Sequence, residues 1–487
     1  MNNQKIKLLI ISLLLAAIFF TIVSCGGTAQ DKSADETTSG NISETESETT
    51  SLSPNVPDDI DYNGETITIF SNNYNDYCMA LVEEQNGEIL NDARYRMQQE
   101  TEEKLHVKIT EVGYGSTDLI NAVSNMVNAG DNGCDIACNL ARYSVELMTK
   151  GIAYNMADYD YIDLNAEYWT PNINESSLLG NSVYYAATGF NLAMYTYTSC
   201  TIFNTDLAEA LSISPESLYN DVRNQKWTYV KMLEYMTSAT SDINGDGVMD
   251  DGDRWGLTAY DWNTFASSVY VSGGALTVGK ANDGSLALTW DTEQFYNTLE
   301  TAYKIYHGSD AYTKNARNDS TIFNNGKALF LNGFFYTLNM LSDMEDDFGI
   351  LPCPKYDENQ SNYINLTTDS IFAVIPFCAK DPERSAAVLE VMSFMGHNYV
   401  LNAYTETTLL YKKTRDTASA EMVRLCLDTA KMDLGTIYAS NYCGWDAIFN
   451  GIITKSGDFT VSSYIASQDA VNQELQKVMD SANAISQ

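Results

Sequence analysis

The sequence predicts an α/β fold whose first part is a parallel, doubly wound sheet, and three observations lead there. Between Glu65 and Leu140 strand-like and helix-like segments alternate at the spacing of parallel crossover units. The chain has 487 residues, enough for about three average domains or one large body of two lobes. Hydrophobic residues make up 44% of it, too many for general disorder despite a formal charge of −37.

Each element has its own signal. Glu65 to Phe70 is a strand launched by the Asn63-Gly64 turn. A helix is expected from Leu90 to Lys104, with Asn91 as its cap and Ala93 and Met97 on its inner face. Val107 to Val112 is a second strand, Asp118 to Val127 a second helix, and Cys134 to Leu140 a third strand. Sheets of this kind bind ligands beyond the carboxyl ends of their strands. The loops there hold Tyr74, Arg142 and Tyr143, three candidates for hydrogen bonding and stacking. Neither a dinucleotide nor a P-loop glycine motif occurs in them, which argues against a nucleotide phosphate.

The ends of the chain follow other rules. Residues 1–24 read as a signal peptide: Lys5 and Lys7 precede an apolar run from Leu8 to Phe20, and Ile22-Val23-Ser24 leads into Cys25. This resembles the lipobox of bacterial lipoproteins and implies cleavage before Cys25 and lipidation of its thiol. From Thr28 to Pro57 there are twelve Ser/Thr and six acids against one lysine, so residues 25–57 read as a lipidated cysteine and a flexible tether. The eight later cysteines show no CxxC pair and sit in apolar surroundings, so buried thiols are expected.

Charge narrows the partners. With 28 Lys+Arg against 65 Asp+Glu, no basic stripe is available for nucleic acid. With three histidines in the chain, a histidine-built metal site has little material. Tyr outnumbers Phe and Trp, 32 against 17 and 6, which suits surfaces that are apolar and wet at once.

A second region opens near Thr198, with Phe203-Asn204 entering a helix and another helix from Thr228 to Thr237. Then comes Asp242 to Asp253, which matches the calcium-loop pattern. Asp242, Asn244 and Asp246 supply side-chain oxygens, Gly247 permits the sharp turn, Val248 offers its carbonyl, and Asp250 and Asp253 follow. It departs from that pattern in ending on Asp253 where a bidentate Glu is usual. A structural Ca2+ is the cofactor expected.

Several stretches, taken in order, resemble one family. They include Glu84-Gln85-Asn86-Gly87, Trp227-Thr228-Tyr229-Val230-Lys231, the acidic loop ending Arg254-Trp255-Gly256-Leu257, Asn325-Gly326-Lys327-Ala328, and Phe348-Gly349-Ile350-Leu351-Pro352. Together they resemble the extracellular solute-binding proteins of ABC importers, most closely the family-1, carbohydrate-type lipoproteins of clostridia and their relatives. The resemblance spans residues 58–487. It implies a type II periplasmic-binding-protein fold, with two α/β lobes around a hinge and ligand cleft. Residues 58–193 and 365–408 would form one lobe, and 194–364 and 409–487 the other, which carries the loop 242–253.

It also implies a monomeric protein that catalyses nothing, captures a carbohydrate and hands it to permease subunits. The lipid anchor would be its one tie to the membrane, on the extracellular face. By order and local spacing Phe335, in Gly333-Phe334-Phe335-Tyr336, matches the family's aromatic platform. Trp445 falls where relatives place a stacking tryptophan, and Trp262 is a further candidate, whereas Trp169 and Trp227 read as structural. The charge favours a neutral oligosaccharide over an anionic one. A surface glycan-binding or sensor protein would use the same cleft; a peptide-binding protein or a glycoside hydrolase fits less well.

Overall fold

The structure is a computed structural model that describes residues 53–282, 286–290, 292–314, 320–368, 370–410, 417–438, 445–454 and 468–485. Two five-stranded sheets organise it. The first runs Val107–Tyr114, Glu65–Asn72, Ile136–Leu140, Ile371–Val374, Ala186–Ala187. Its first three strands are parallel, as expected from the alternation, with Ile67 opposite Ile109 and Ile69 opposite Ile136. The two added strands pair antiparallel. The strands run two residues further than Phe70 and Val112, because Ser71-Asn72 stays in register with Gly113-Tyr114.

The crossover helices are Ile89–Leu105 and Ser116–Ala129. Asn91 is not the cap of the first. Glu88 holds that position without a side-chain bond, and Asn91 lies one turn in, its Nδ2 donating to the Glu84 carbonyl at 2.8 Å. Met97 is buried on the inner face with Arg94, Thr101 and Leu105, while Ala93 is half-buried. The second helix stops at Gly130, whose φ of 70° returns its N–H to the last turn at no steric cost.

The second sheet runs Ala311–Tyr312, Trp255–Ala259, Ala328–Phe334, Ser199–Asn204, Phe348–Leu351. Ala328–Phe334 lies at its centre, parallel to one neighbour and antiparallel to the other, and all its residues are buried. Such a strand reads as a near-continuous apolar run. Asn204 and Thr228 cap the helices Thr205–Ala210 and Tyr229–Ala239 by accepting from Leu207 N and Lys231 N. Trp169 and Trp227 are fully buried structural residues, and Trp227 donates from Nε1 to the Pro352 carbonyl.

The chain passes from the first sheet to the second through a buried segment containing the short helix Ala193–Thr196. It returns along Asn365–Leu366, which pairs in parallel with Ala430–Lys431. Thr198 and Thr367 bridge the outgoing and returning segments, and both hydroxyls donate to the Met194 carbonyl at 2.7 Å. Close packing needs glycine here: a Cβ on Gly189 would sit 2.4 Å from the carbonyl oxygens of both Ser393 and Tyr168.

Glu390 ties the segment ahead of the first sheet to the stretch 163–169. This buried carboxylate accepts from Asn55 N, Asp163 N, the Tyr168 hydroxyl and Trp169 Nε1. The seven cysteines among the described residues are unbridged and buried, as the sequence suggested. Among the described residues no helix is long and apolar enough to cross a membrane.

Candidate functional site

The loop after strand Glu65–Asn72 is fixed from beneath. Asn72 is buried and donates to Ser116 Oγ at 2.7 Å and Asn139 Oδ1 at 2.9 Å, while its own Oδ1 accepts from Tyr74 N. Glu111 takes N–H bonds from Ala80 and Leu81, and the buried Arg94 guanidinium donates to the Asp76 carbonyl. On this platform Tyr74 is 72% exposed, far more than a tyrosine held for packing.

The second sheet supplies the facing wall. After Phe334 the chain turns into a 3-10 helix, Phe335–Leu341, where Thr337 Oγ1 accepts from Phe334 N. Tyr336 projects from that turn half-buried. Its ring stacks on Tyr197 of the connecting segment, with centroids 5.6 Å apart and planes 20° apart, and meets Tyr260 at 6.4 Å. Burial pushes the Tyr260 hydroxyl up to about 12, with Tyr336, Asp261 and Tyr74 adding to the rise.

Two amide side chains link the walls. Asn75 donates to the Tyr197 hydroxyl at 3.0 Å, and Asn339 donates to the Tyr77 hydroxyl at 3.1 Å. Tyr77 in turn meets Tyr404 edge-on at 6.4 Å. The result is a group of tyrosines from both sheets and the crossing, edged by carboxamides. Aromatic faces pack on apolar C–H surfaces, and amides and phenols satisfy hydroxyls.

Of the residues picked from sequence, Tyr74 stands exposed in the loop that supplies Asn75 and Tyr77 to this group. Arg142 and Tyr143 lie half-buried in the first turn of helix Ala141–Thr149, the guanidinium over the Tyr143 ring at 5.2 Å. Phe335 does not face the group: at 2% exposure it belongs to the core, because the turn after Phe334 points 335 inward and 336 outward. Trp262 is also core, at 2% exposure. Behind its cap Asp261 it turns under the helix, donates to the Tyr312 carbonyl and packs on Phe265 and Tyr306. Trp445 opens helix Trp445–Thr454, but its side chain lies outside the described residues, as does Cys25. Tyr197, Tyr260, Tyr77 and Tyr404 were missed; the signal for them was the tyrosine excess alone.

The acidic loop winds on itself. Asp242 accepts from Gly245 N and Gly247 N, Asn244 from Asp246 N, Asp246 from Val248 N, and Asp250 from Gly252 N, all between 2.7 and 2.8 Å. Gly247 has φ 80°, the left-handed turn expected there. Asp253 is buried beneath, accepting from Asp250 N and Ile243 N, and these bonds hold its carboxyl below the usual range. Trp255 Nε1 and Lys327 Nζ pin the loop by donating to the Asp250 and Asp251 carbonyls. Among the described residues no three His, Cys, Asp or Glu side chains converge as a ready-made metal cluster, so an ion would have to draw these carboxylates together.

Comparison with known proteins adds the following. The family model for bacterial extracellular solute-binding proteins matches residues 86–375. No sequence among the curated proteins matches the chain. A solved cyclo/maltodextrin-binding protein, complexed with maltotetraose, superposes with a TM-score of 0.56 at 12% identity, covering 86% of this chain and 97% of that one. An ABC substrate-binding protein from Listeria monocytogenes in complex with cycloalternan gives 0.52 at 13% identity, covering 85% and 99%. The cyclic alpha-maltosyl-1,6-maltose binding protein from Arthrobacter globiformis gives 0.52 at 13%, covering 87% and 99%. At these identities the likeness is one of fold.

Proposed function

The chain belongs to the bacterial extracellular solute-binding protein family and has its type II, two-lobed α/β fold; from that premise we propose that it captures a neutral oligosaccharide between its two sheets. The observation that supports this most is the tyrosine group, which draws Tyr77 from one sheet, Tyr260 and Tyr336 from the other, and Tyr197 from the crossing.

The mechanism needs no covalent chemistry. A pyranose lays its C–H face on an aromatic ring, and its hydroxyls exchange water for the amides of Asn75 and Asn339 and the phenols beside them. A ligand that touches both walls stabilises the closed arrangement over the open one by its differential contacts alone. The Asn339 bond to Tyr77 is a closing contact of this kind. In this reading residues 58–193 and 365–408 move against 194–364 and 409–487 about the bridged threonines Thr198 and Thr367.

The remaining parts of the proposal rest on sequence. Cys25 carries lipid after removal of residues 1–24, the tether holds a monomer at the outer face of the membrane, and permease subunits receive the sugar. The loop Asp242–Asp253 holds a structural calcium ion through Asp242, Asn244, Asp246, the Val248 carbonyl, Asp250 and Asp253. Thermal-shift screening of the chain without residues 1–24 tests the ligand class. At least one neutral oligosaccharide should raise the melting temperature; a rise with peptides or amino acids alone contradicts the reading.

A further inference from the structure

A cavity of 270 Å³ lies beside the connecting segments, and none of its lining residues belongs to the tyrosine group. Thr198 and Thr367, the bridged pair, form part of its wall. Apolar side chains, among them Met194 and Leu401, make up much of the rest, and no lysine or arginine lines it. Four titratable groups line this space: the carboxylates of Glu167 and Asp428, exposed at its edge, the His397 imidazole and the Tyr195 phenol.

Two of the four lack partners. Tyr195 is 4% exposed, and its hydroxyl has no hydrogen-bond partner among the described residues; His397 Nδ1, also out of contact with solvent, is in the same state. Buried polar atoms are ordinarily satisfied, and one left unsatisfied weighs against the fold. The four groups also sense one another. Asp428 bears on the acidity of Tyr195, and both carboxylates bear on His397. Arg424, outside the lining, is the cation whose charge reaches Asp428 besides His397.

What would satisfy such a site is a donor-rich cation with a short apolar body. An ammonium has three N–H donors, no acceptor and a positive charge: its donors suit the buried phenol oxygen and neutral imidazole nitrogen and one carboxylate, and its charge suits both carboxylates. We propose that this cavity binds a small primary amine, its ammonium held among Glu167, Asp428, Tyr195 and His397 and its carbon chain against Met194 and Leu401.

The test uses the chain without residues 1–24 and two probes of one shape, n-butylammonium chloride and n-butanol, titrated at constant ionic strength with saturation-transfer NMR on the alkyl protons. Butylammonium should bind saturably, at least about tenfold more tightly than butanol. Glu167→Gln with Asp428→Asn should remove that preference, and Ala430→Leu, which fills the cavity without touching a charge, should abolish binding. If Ala430→Leu fails to fold, the isosteric double variant decides. Equal affinity for butanol, unchanged affinity in the double variant, or no saturable binding overturns the proposal.

Discussion

Replacing Tyr336 by alanine removes the ring at the centre of the candidate site. In the structure that ring stacks on Tyr197 at 5.6 Å and meets Tyr260 at 6.4 Å, so its loss opens the wall between them. A tyrosine buries about 150–250 Å² in all, and a sugar covering one face takes roughly 80–100 Å² of it. At about 25 cal/mol per Å² that face contributes about 2 kcal/mol, or roughly 30-fold in affinity. Stability should fall by about 1–2 kcal/mol, because Tyr336 is half-buried and its loss removes two aromatic contacts, with Tyr197 and Tyr260. Titration calorimetry with the oligosaccharide that most raises the melting temperature reads the effect. Tyr336→Phe keeps the ring and should stay within a few-fold of wild type. An unchanged Kd in a folded Tyr336→Ala protein would refute the assignment of this wall.

Three further outcomes are expected. Asp242→Ala with Asp246→Ala, or calcium chelation of the wild type, should lower the melting temperature while leaving sugar binding in place; identical melting curves with and without calcium contradict the structural ion. Gly189→Ala should cost about 3 kcal/mol in denaturant unfolding, since its methyl would strike the Ser393 and Tyr168 carbonyls, and a loss below about 1 kcal/mol would show that the segment yields. Burial lowers the pKa of His397 against the opposing pull of Glu167 and Asp428. The unfolded chain therefore takes up a proton that the folded one refuses: this contribution to stability is full above about pH 6.5 and is lost as pH falls below it. His397→Gln should flatten the wild-type slope below pH 6.5; an equal slope in both proteins assigns it elsewhere.

The first sheet was legible because its signals are local. Hydrophobic alternation between Glu65 and Leu140 placed three strands and two helices, and missed mainly their ends, where Ser71-Asn72 is polar yet stays in the ladder and Asn91 looks like a cap but lies one turn inside. The antiparallel additions Ala186–Ala187 and Ile371–Val374 come from distant parts of the chain and carry no local sign of their partner. The site divides in the same way. Tyr74 was reachable from the rule that ligands gather at strand ends. The local spacing points to Phe335, whereas Tyr336 is the outward ring, a one-residue difference set by a 3-10 turn that no pattern announces. Trp262 follows a strand but turns inward behind Asp261. Tyr197 and Tyr260 become functional candidates only because folding brings them to Tyr336, and a phenol alone does not reveal its neighbours.

The most direct test of a sugar held between the two sheets is titration calorimetry of the chain without residues 1–24 against a panel of neutral oligosaccharides, with amino acids and peptides as the contrast. The account predicts saturable, one-site binding of at least one neutral oligosaccharide. Binding of peptides or amino acids with no response to any sugar would contradict it.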